Sequence, residues 1–145
     1  MKHDGGLAAL MRAAHLPVGR MLEMKLNRII IFVGNPRACA ELYRDAFDLN
    51  PIGEWSDEWA ELDGNGCRLA FHQAYGEAGK LSGATGSPDN PHKIVFTVDN
   101  VPRTRQRLLE KGIEMGDVHD LPELNGLVLC DGSDPEGHRF QICNR

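Results

Sequence analysis

The densest apolar run in the chain, LNRIIIFV at residues 26–33, is β-branched almost throughout and predicts a strand. Asn35 and Pro36 follow, a capping side chain and a proline suited to a first helical turn. Cys39, Leu42, Tyr43, Ala46 and Phe47 then recur at three- and four-residue spacing, the stripe of a helix lying on a sheet, and residues 48–51 end it. Short strands are expected at 52–55, 59–62 and 67–72, the last two joined by Asp63-Gly64-Asn65-Gly66, which is strong hairpin chemistry. Residues 73–91 are rich in Gly, Ser, Ala and Pro and too long for an ordinary connection, so they read as a linker or lid.

After that segment the order recurs. Residues 93–98 (KIVFTV) predict a strand, Asp99 or Asn100 caps a helix through Leu108 and Leu109, and Gly112 stops it. Three more strands are expected near 116–119, 126–130 and 138–143, with Asp134-Pro135-Glu136-Gly137 as the turn before the last. At a fixed offset residues 28–33 lie on 93–98 and Asn35 lies on Asn100. In the closing hairpins Gly66 corresponds to Gly137, Leu69 to Phe140, Ala70 to Gln141 and His72 to Cys143. Each half is thus one strand, one helix and three strands, and the sequence divides into module one (25–72), a linker (73–91) and module two (92–145) of a single domain. A repeated unit of this kind reads as two sheets facing each other around a shared cleft.

Charge narrows the partners. The chain has 145 residues, and 16 Lys and Arg against 21 Asp and Glu give a formal net charge of -5, which argues against nucleic acid or an anionic membrane. No apolar run reaches the roughly 18 residues of a membrane span. Cys39, Cys67, Cys130 and Cys143 are far apart with no Cys-x-x-Cys pair, so reduced thiols and a cytoplasmic setting are expected. In the extension at 1–24, residues 7–16 are weakly apolar, broken by Arg12 and His15 and closed by Pro17, without a clean signal-peptide core; the extension is read as a short helical segment or an upstream start, with no chemistry assigned.

The segments VGNPRACAELYRDAFDL and LCDGSDPEGHRFQI, with the Tyr43-Arg44-Asp45 helix pattern and the Asp134-Pro135-x-Gly137 turn, resemble the vicinal oxygen chelate superfamily, which includes glyoxalase I, bleomycin resistance proteins, fosfomycin resistance enzymes and extradiol dioxygenases. The resemblance covers residues 25–145. It implies an α+β fold of two tandem βαβββ modules forming a U-shaped mixed sheet around a central cavity, often in a homodimer. Metal enzymes of this family take His, Glu or Gln ligands from four inward positions, which fall here on Arg28, Ala70, Lys93 and Gln141. Only Gln141 can ligate, because Arg stays protonated and Lys binds metal only after losing a proton.

A metal-independent protein is therefore expected, binding an anionic or aromatic small molecule between the modules through Arg28, His72, Lys93 and Gln141, with no cofactor. Arg28 and Lys93 offer a cationic floor for a carboxylate, phosphate or phenolate; equally, they pair with interior carboxylates such as Glu61, or lie at exposed strand starts. Gln141 hydrogen-bonds a ligand or satisfies Arg28. A one-residue slip at the second module's first strand would turn His92 inward instead of Lys93, and His72, His92 and Gln141 would then be a fallback metal set. That alternative is a metal-dependent lyase, isomerase or dioxygenase of the glyoxalase type, in which a divalent metal polarises substrate oxygens. Trp55 or Trp59 is a candidate aromatic wall, although tryptophans pack cores more often, and Cys130 reads as apolar filler. A third class is a dimeric interaction module with a vestigial cavity.

Overall fold

The computed structural model describes residues 25–76, 79–80, 86 and 91–145. β1 (Arg28–Val33) runs through Asn35 into α1 (Pro36–Phe47). Asn35 is extended and its side chain accepts from the Ala38 N–H at 3.0 Å, satisfying one of the donors that a helix start leaves open. The helix ends at Asp48 in the left-handed region. β2 (Asn50–Pro51), β3 (Trp59–Asp63) and β4 (Arg68–Gln73) complete a sheet of order β1-β4-β3-β2, with β1 parallel to β4 and the remaining pairs antiparallel.

No strand forms at 52–55, because Pro51 lacks an N–H and Gly53 takes φ +64, which turns the chain off the sheet edge. Trp55 instead donates its indole N–H to the Glu61 carbonyl at 3.1 Å and packs against the core. In the segment read as a linker, β5 (Tyr75–Gly76) pairs with β6 (Gly79–Lys80) in a small ribbon. Most of the remaining linker, like the extension at 1–24, lies outside the described residues.

The second half repeats the first: β7 (Ile94–Thr97), α2 (Val101–Glu110) with Asn100 as its cap, β8 (Glu114–Leu121), β9 (Leu127–Ser133) and β10 (Arg139–Cys143), ordered β7-β10-β9-β8. Both halves share one register, since Ile29 opposes Leu69 and Ile94 opposes Phe140 across parallel pairs. β8 is bulged between Met115 and Val118, and Asn125 and Gly126, both at positive φ, turn it into β9.

Alternation assigns each strand two faces. In the first sheet Val33, Ala60, Leu62, Leu69 and Phe71 are buried with Cys39, Ala40, Tyr43 and Ala46 of α1; in the second, Cys130, Phe140 and Ile142 share the same core with Val101 and Leu108 of α2. Tyr43 stacks on Phe71 at 5.4 Å and meets Phe140 edge-on at 5.9 Å, while Phe47 stacks on Phe96 at 3.8 Å. One helix therefore touches the apolar faces of both sheets, so the helices form the inner layer and each sheet turns its other face outward.

The turn at 134–138 clasps the halves together. Glu136 accepts the Gly34 and Asn35 N–H groups at 2.7 and 2.8 Å and the Cys39 thiol at 3.2 Å. Asp134 accepts the Tyr43 hydroxyl at 3.1 Å and the Glu136 and His138 N–H groups, each at 2.9 Å. Burial, then the charges of Asp134 and Glu136, push the Cys39 thiol far above its usual range, so it stays an S–H donor. Tyr43 and Asp134 belong to the two motifs quoted above, and their contact spans the module boundary.

Candidate functional site

The outward face of the first sheet carries Arg28, Ile30 and Phe32 on β1, Arg68, Ala70 and His72 on β4, and Trp59, Glu61 and Asp63 on β3. The small Ala70 lets Arg28 reach across β4 to Glu61, where its Nε donates to the carboxylate at 2.7 Å. Arg68 approaches the same oxygen at 3.6 Å, and Glu61 is almost wholly buried between them. The Arg28 guanidinium lies 5.5 Å from the Trp59 ring centre, within cation–π range. His72 is held between two rings, 5.4 Å from Phe32 and 5.6 Å from Trp59.

The outward face of the second sheet repeats the arrangement with other side chains. Lys93 Nζ donates to both Asp131 oxygens at 3.1 Å, and Gln141 Nε2 donates to one of them at 2.9 Å. Burial raises the Asp131 carboxyl, but the hydrogen bonds from Gln141 and Lys93 outweigh it and leave the group below its ordinary range. Stability from this pair is present above the ordinary aspartate value and lost as pH falls through the lowered one. Asp131→Asn should therefore cost about 1 kcal/mol at neutral pH, the pair being partly solvated, and flatten the fall in melting temperature below about pH 4. Melting curves from pH 2.5 to 7 check this, and an unchanged acid slope would exclude the pair as its source.

Arg28 and Lys93 are thus each ion-paired within their own sheet, the pairing with interior carboxylates weighed above. They lie on outward faces of different sheets with the helices between. Gln141 bonds Asp131 rather than Arg28. Lys93 takes the polar face with Gln141, so the register is unslipped; His92 lines a neighbouring groove. His72 is half-buried in the first sheet and Gln141 lies in the second. Trp59 is the tryptophan on the polar face. Asp131 and Arg68 are not among the residues singled out from sequence, although alternation along β4 from Ala70 places Arg68 and pairing across the last hairpin from Gln141 places Asp131.

The four positions at which the resemblance puts metal ligands hold two ion-paired cations, a methyl group and one amide. Among the described residues no three His, Cys, Asp or Glu side chains gather as a metal cluster. This donor set does not fit a divalent cation.

A groove of about 720 Å³ runs between β1 and the starts of β7 and β10. Residues 29–32 form one wall, and Pro91, His92, Lys93 and Arg139 contribute to the other. The two sheets thus meet the groove along their first strands.

Known proteins agree with this architecture. No curated protein matches the chain. Among solved structures it is similar to a glyoxalase/bleomycin resistance protein/dioxygenase family enzyme from Burkholderia phytofirmans PsJN, with TM-score 0.64 and 19% identity over 83% of this chain and 98% of that one. It is similar also to a lactoylglutathione lyase from Agrobacterium tumefaciens (TM-score 0.61, 16% identity, 81% and 90% covered) and to a glyoxalase-related enzyme from Fulvimarina pelagi (0.61, 20%, 83% and 87%). At these identities the likeness establishes the fold. The family model matches residues 25–142, nearly the whole of both modules, and the chain belongs to the Glyoxalase/Bleomycin resistance protein/Dioxygenase superfamily.

Proposed function

We propose that the protein binds an anionic aromatic small molecule, without a metal, on the strand faces that its helices leave uncovered. The observation that carries this reading is the cluster of Phe32, Trp59 and His72 rings beside Arg28, Arg68 and buried Glu61. Ion pairs set into the middle of a sheet gain little stability over apolar residues of the same size, so their presence beside aromatic rings favours recognition over packing. A planar ligand stacks on the exposed edge of this cluster, its acidic group takes the outer N–H groups of Arg28 and Arg68, and His72 offers a ring nitrogen to a ligand oxygen. On the second sheet Lys93 and Gln141 supply a point charge and an amide. No disulfide joins the four cysteines, and no described helix is long and apolar enough to cross a membrane, which suits the reducing cytoplasm.

The test combines elemental analysis with thermal melts, in chelator and in a panel of aromatic carboxylates and phosphates. A ligand at 100 times its dissociation constant should add about 2.7 kcal/mol. The double variant Arg28→Ala, Lys93→Ala should lose that gain for every hit, and unchanged binding of all hits would end the proposal. One metal per chain with a chelator-sensitive melt would instead direct assays to lyase and dioxygenase substrates.

A further inference from the structure

We infer that the outward face of the second sheet binds a small zwitterion of the α-amino acid class, its carboxylate taken by Arg139 and its ammonium by Glu114. A pocket of about 130 Å³ opens here, and its lining includes Glu114, Met115, Gly116, Asp131, Ser133 and Arg139. Ser133 stands directly opposite Glu114 of β8 on one side and Arg139 of β10 on the other. The acidic and the basic residue therefore flank it with their Cα atoms about 10 Å apart. The β8 bulge falls at the same place. Met115 opposes Gly132 and the next pair is Val118 with Cys130, which sets Gly116 and Asp117 against Asp131 alone. A bulge bends its strand and interrupts the ladder, and the pocket lies beside this one. Arg105 Nε and the Cys130 thiol both donate to the Gly116 carbonyl, at 2.6 and 3.3 Å, and so hold the bulge in shape.

The charges around the pocket select the ligand. Asp131 is already engaged, by Lys93 on both oxygens and by Gln141 on one. Glu114 and Arg139 differ from it: both are exposed, and neither has a hydrogen bond or a close ion pair with any described residue. Arg139 acts on Asp131 only through its field. A bare anion on Arg139 would leave the Glu114 carboxylate facing it, and a bare cation on Glu114 would face the Arg139 guanidinium. A molecule carrying both charges answers each of them at once. Arginine presents a fork matched to a carboxylate, while an ammonium has three donors for Glu114 and the Ser133 hydroxyl. Size points the same way, because the pocket is far smaller than the 720 Å³ groove and suits an amino acid with a short side chain rather than a planar ring. The site is separate from the ring cluster of the first sheet, and the inference does not rest on the ligand proposed there.

Amide chemical shifts of the full chain, followed by NMR during titration with L-serine at constant ionic strength, test the inference. Saturable shifts are expected at 114–117 and 131–133. Acetate and methylammonium, which carry one charge each, should bind at least tenfold more weakly. Arg139→Gln and Glu114→Gln should each weaken serine binding at least tenfold, whereas Arg103→Gln, at an exposed position of α2, should leave it unchanged. If either pocket variant fails to fold, the comparison of serine with the two single ions on the wild-type chain decides. Four results would overturn the inference: no saturable shift up to about 100 mM serine, two decades above a millimolar dissociation constant; acetate or methylammonium binding as tightly as serine, which would mean a site for a single charge; serine shifts centred on residues 59–72 of the first sheet; or serine binding that survives both pocket variants. An aromatic carboxylate that binds the first sheet of a chain to which serine does not bind would sink this inference and leave the proposed function standing.

Discussion

Tyr43→Ala is expected to lower the unfolding free energy by about 3–5 kcal/mol, the usual range for truncating a large buried aromatic. The side chain is fully buried, with four rings within 6.3 Å of its own: Phe47, Phe71, Phe96 and Phe140. Phe71 belongs to the first sheet and Phe96 and Phe140 to the second, so the cavity left by alanine would open at the seam between the modules. Tyr43→Phe separates the ring from the hydroxyl. It removes one hydrogen bond to Asp134, whose other oxygen keeps two backbone donors, and should cost about 1 kcal/mol. Burial, then the nearby Asp134 charge, keep the phenol protonated far above its usual range, so the difference between the two variants should not vary with pH across the neutral region. Urea denaturation of the three proteins measures both steps. A loss below about 1.5 kcal/mol for alanine would mean that the site collapses and that other contacts hold the halves.

What the sequence made legible is what strand and helix periodicity encode. The repeat of β1 in β7 and of Asn35 in Asn100 was readable because the same capping chemistry and the same apolar alternation occur twice, and the register found in both sheets follows from it. Periodicity reports which face of an element is apolar but not which partner covers it. Phe47 belongs to the stripe of a helix packed on its own sheet, yet its ring lies 3.8 Å from Phe96 of the other module. For the same reason Arg28 and Lys93 could be assigned to polar faces, while whether those faces look toward or away from each other within one chain was not readable. Boundaries slipped where backbone chemistry overrode side-chain pattern: Gly53 stops a strand that the apolar residues at 52 and 55 suggest, and the Asn125-Gly126 pair lets β8 and β9 run longer than expected. The Asp-Pro-x-Gly turn was legible as a turn, but its second role required the fold.

That second role yields the other large expected effect. Glu136→Ala should cost about 2–4 kcal/mol, because it removes the acceptor of two N–H groups at the start of α1 and leaves them in a part-buried setting where water replaces it poorly. The carboxylate also places negative charge at the positive end of the helix dipole, adding to its hydrogen bonds. Glu136→Gln keeps the shape and one acceptor oxygen but turns an amide N–H₂ toward the second backbone donor, so about half of the loss should remain. Asn35→Ala, which removes the local cap on the Ala38 N–H, should cost only about 1 kcal/mol and leave the module contact intact. Denaturation midpoints rank the three variants, and amide exchange at residues 34–39 locates the change. If glutamine proves as stable as glutamate, the charge contributes nothing and the clasp is one of shape. If alanine loosens those amides while α2 keeps its protection, module two holds the first helix in place through this one carboxylate, and the residues of the turn that mark the family are there for assembly of the two halves rather than for chemistry.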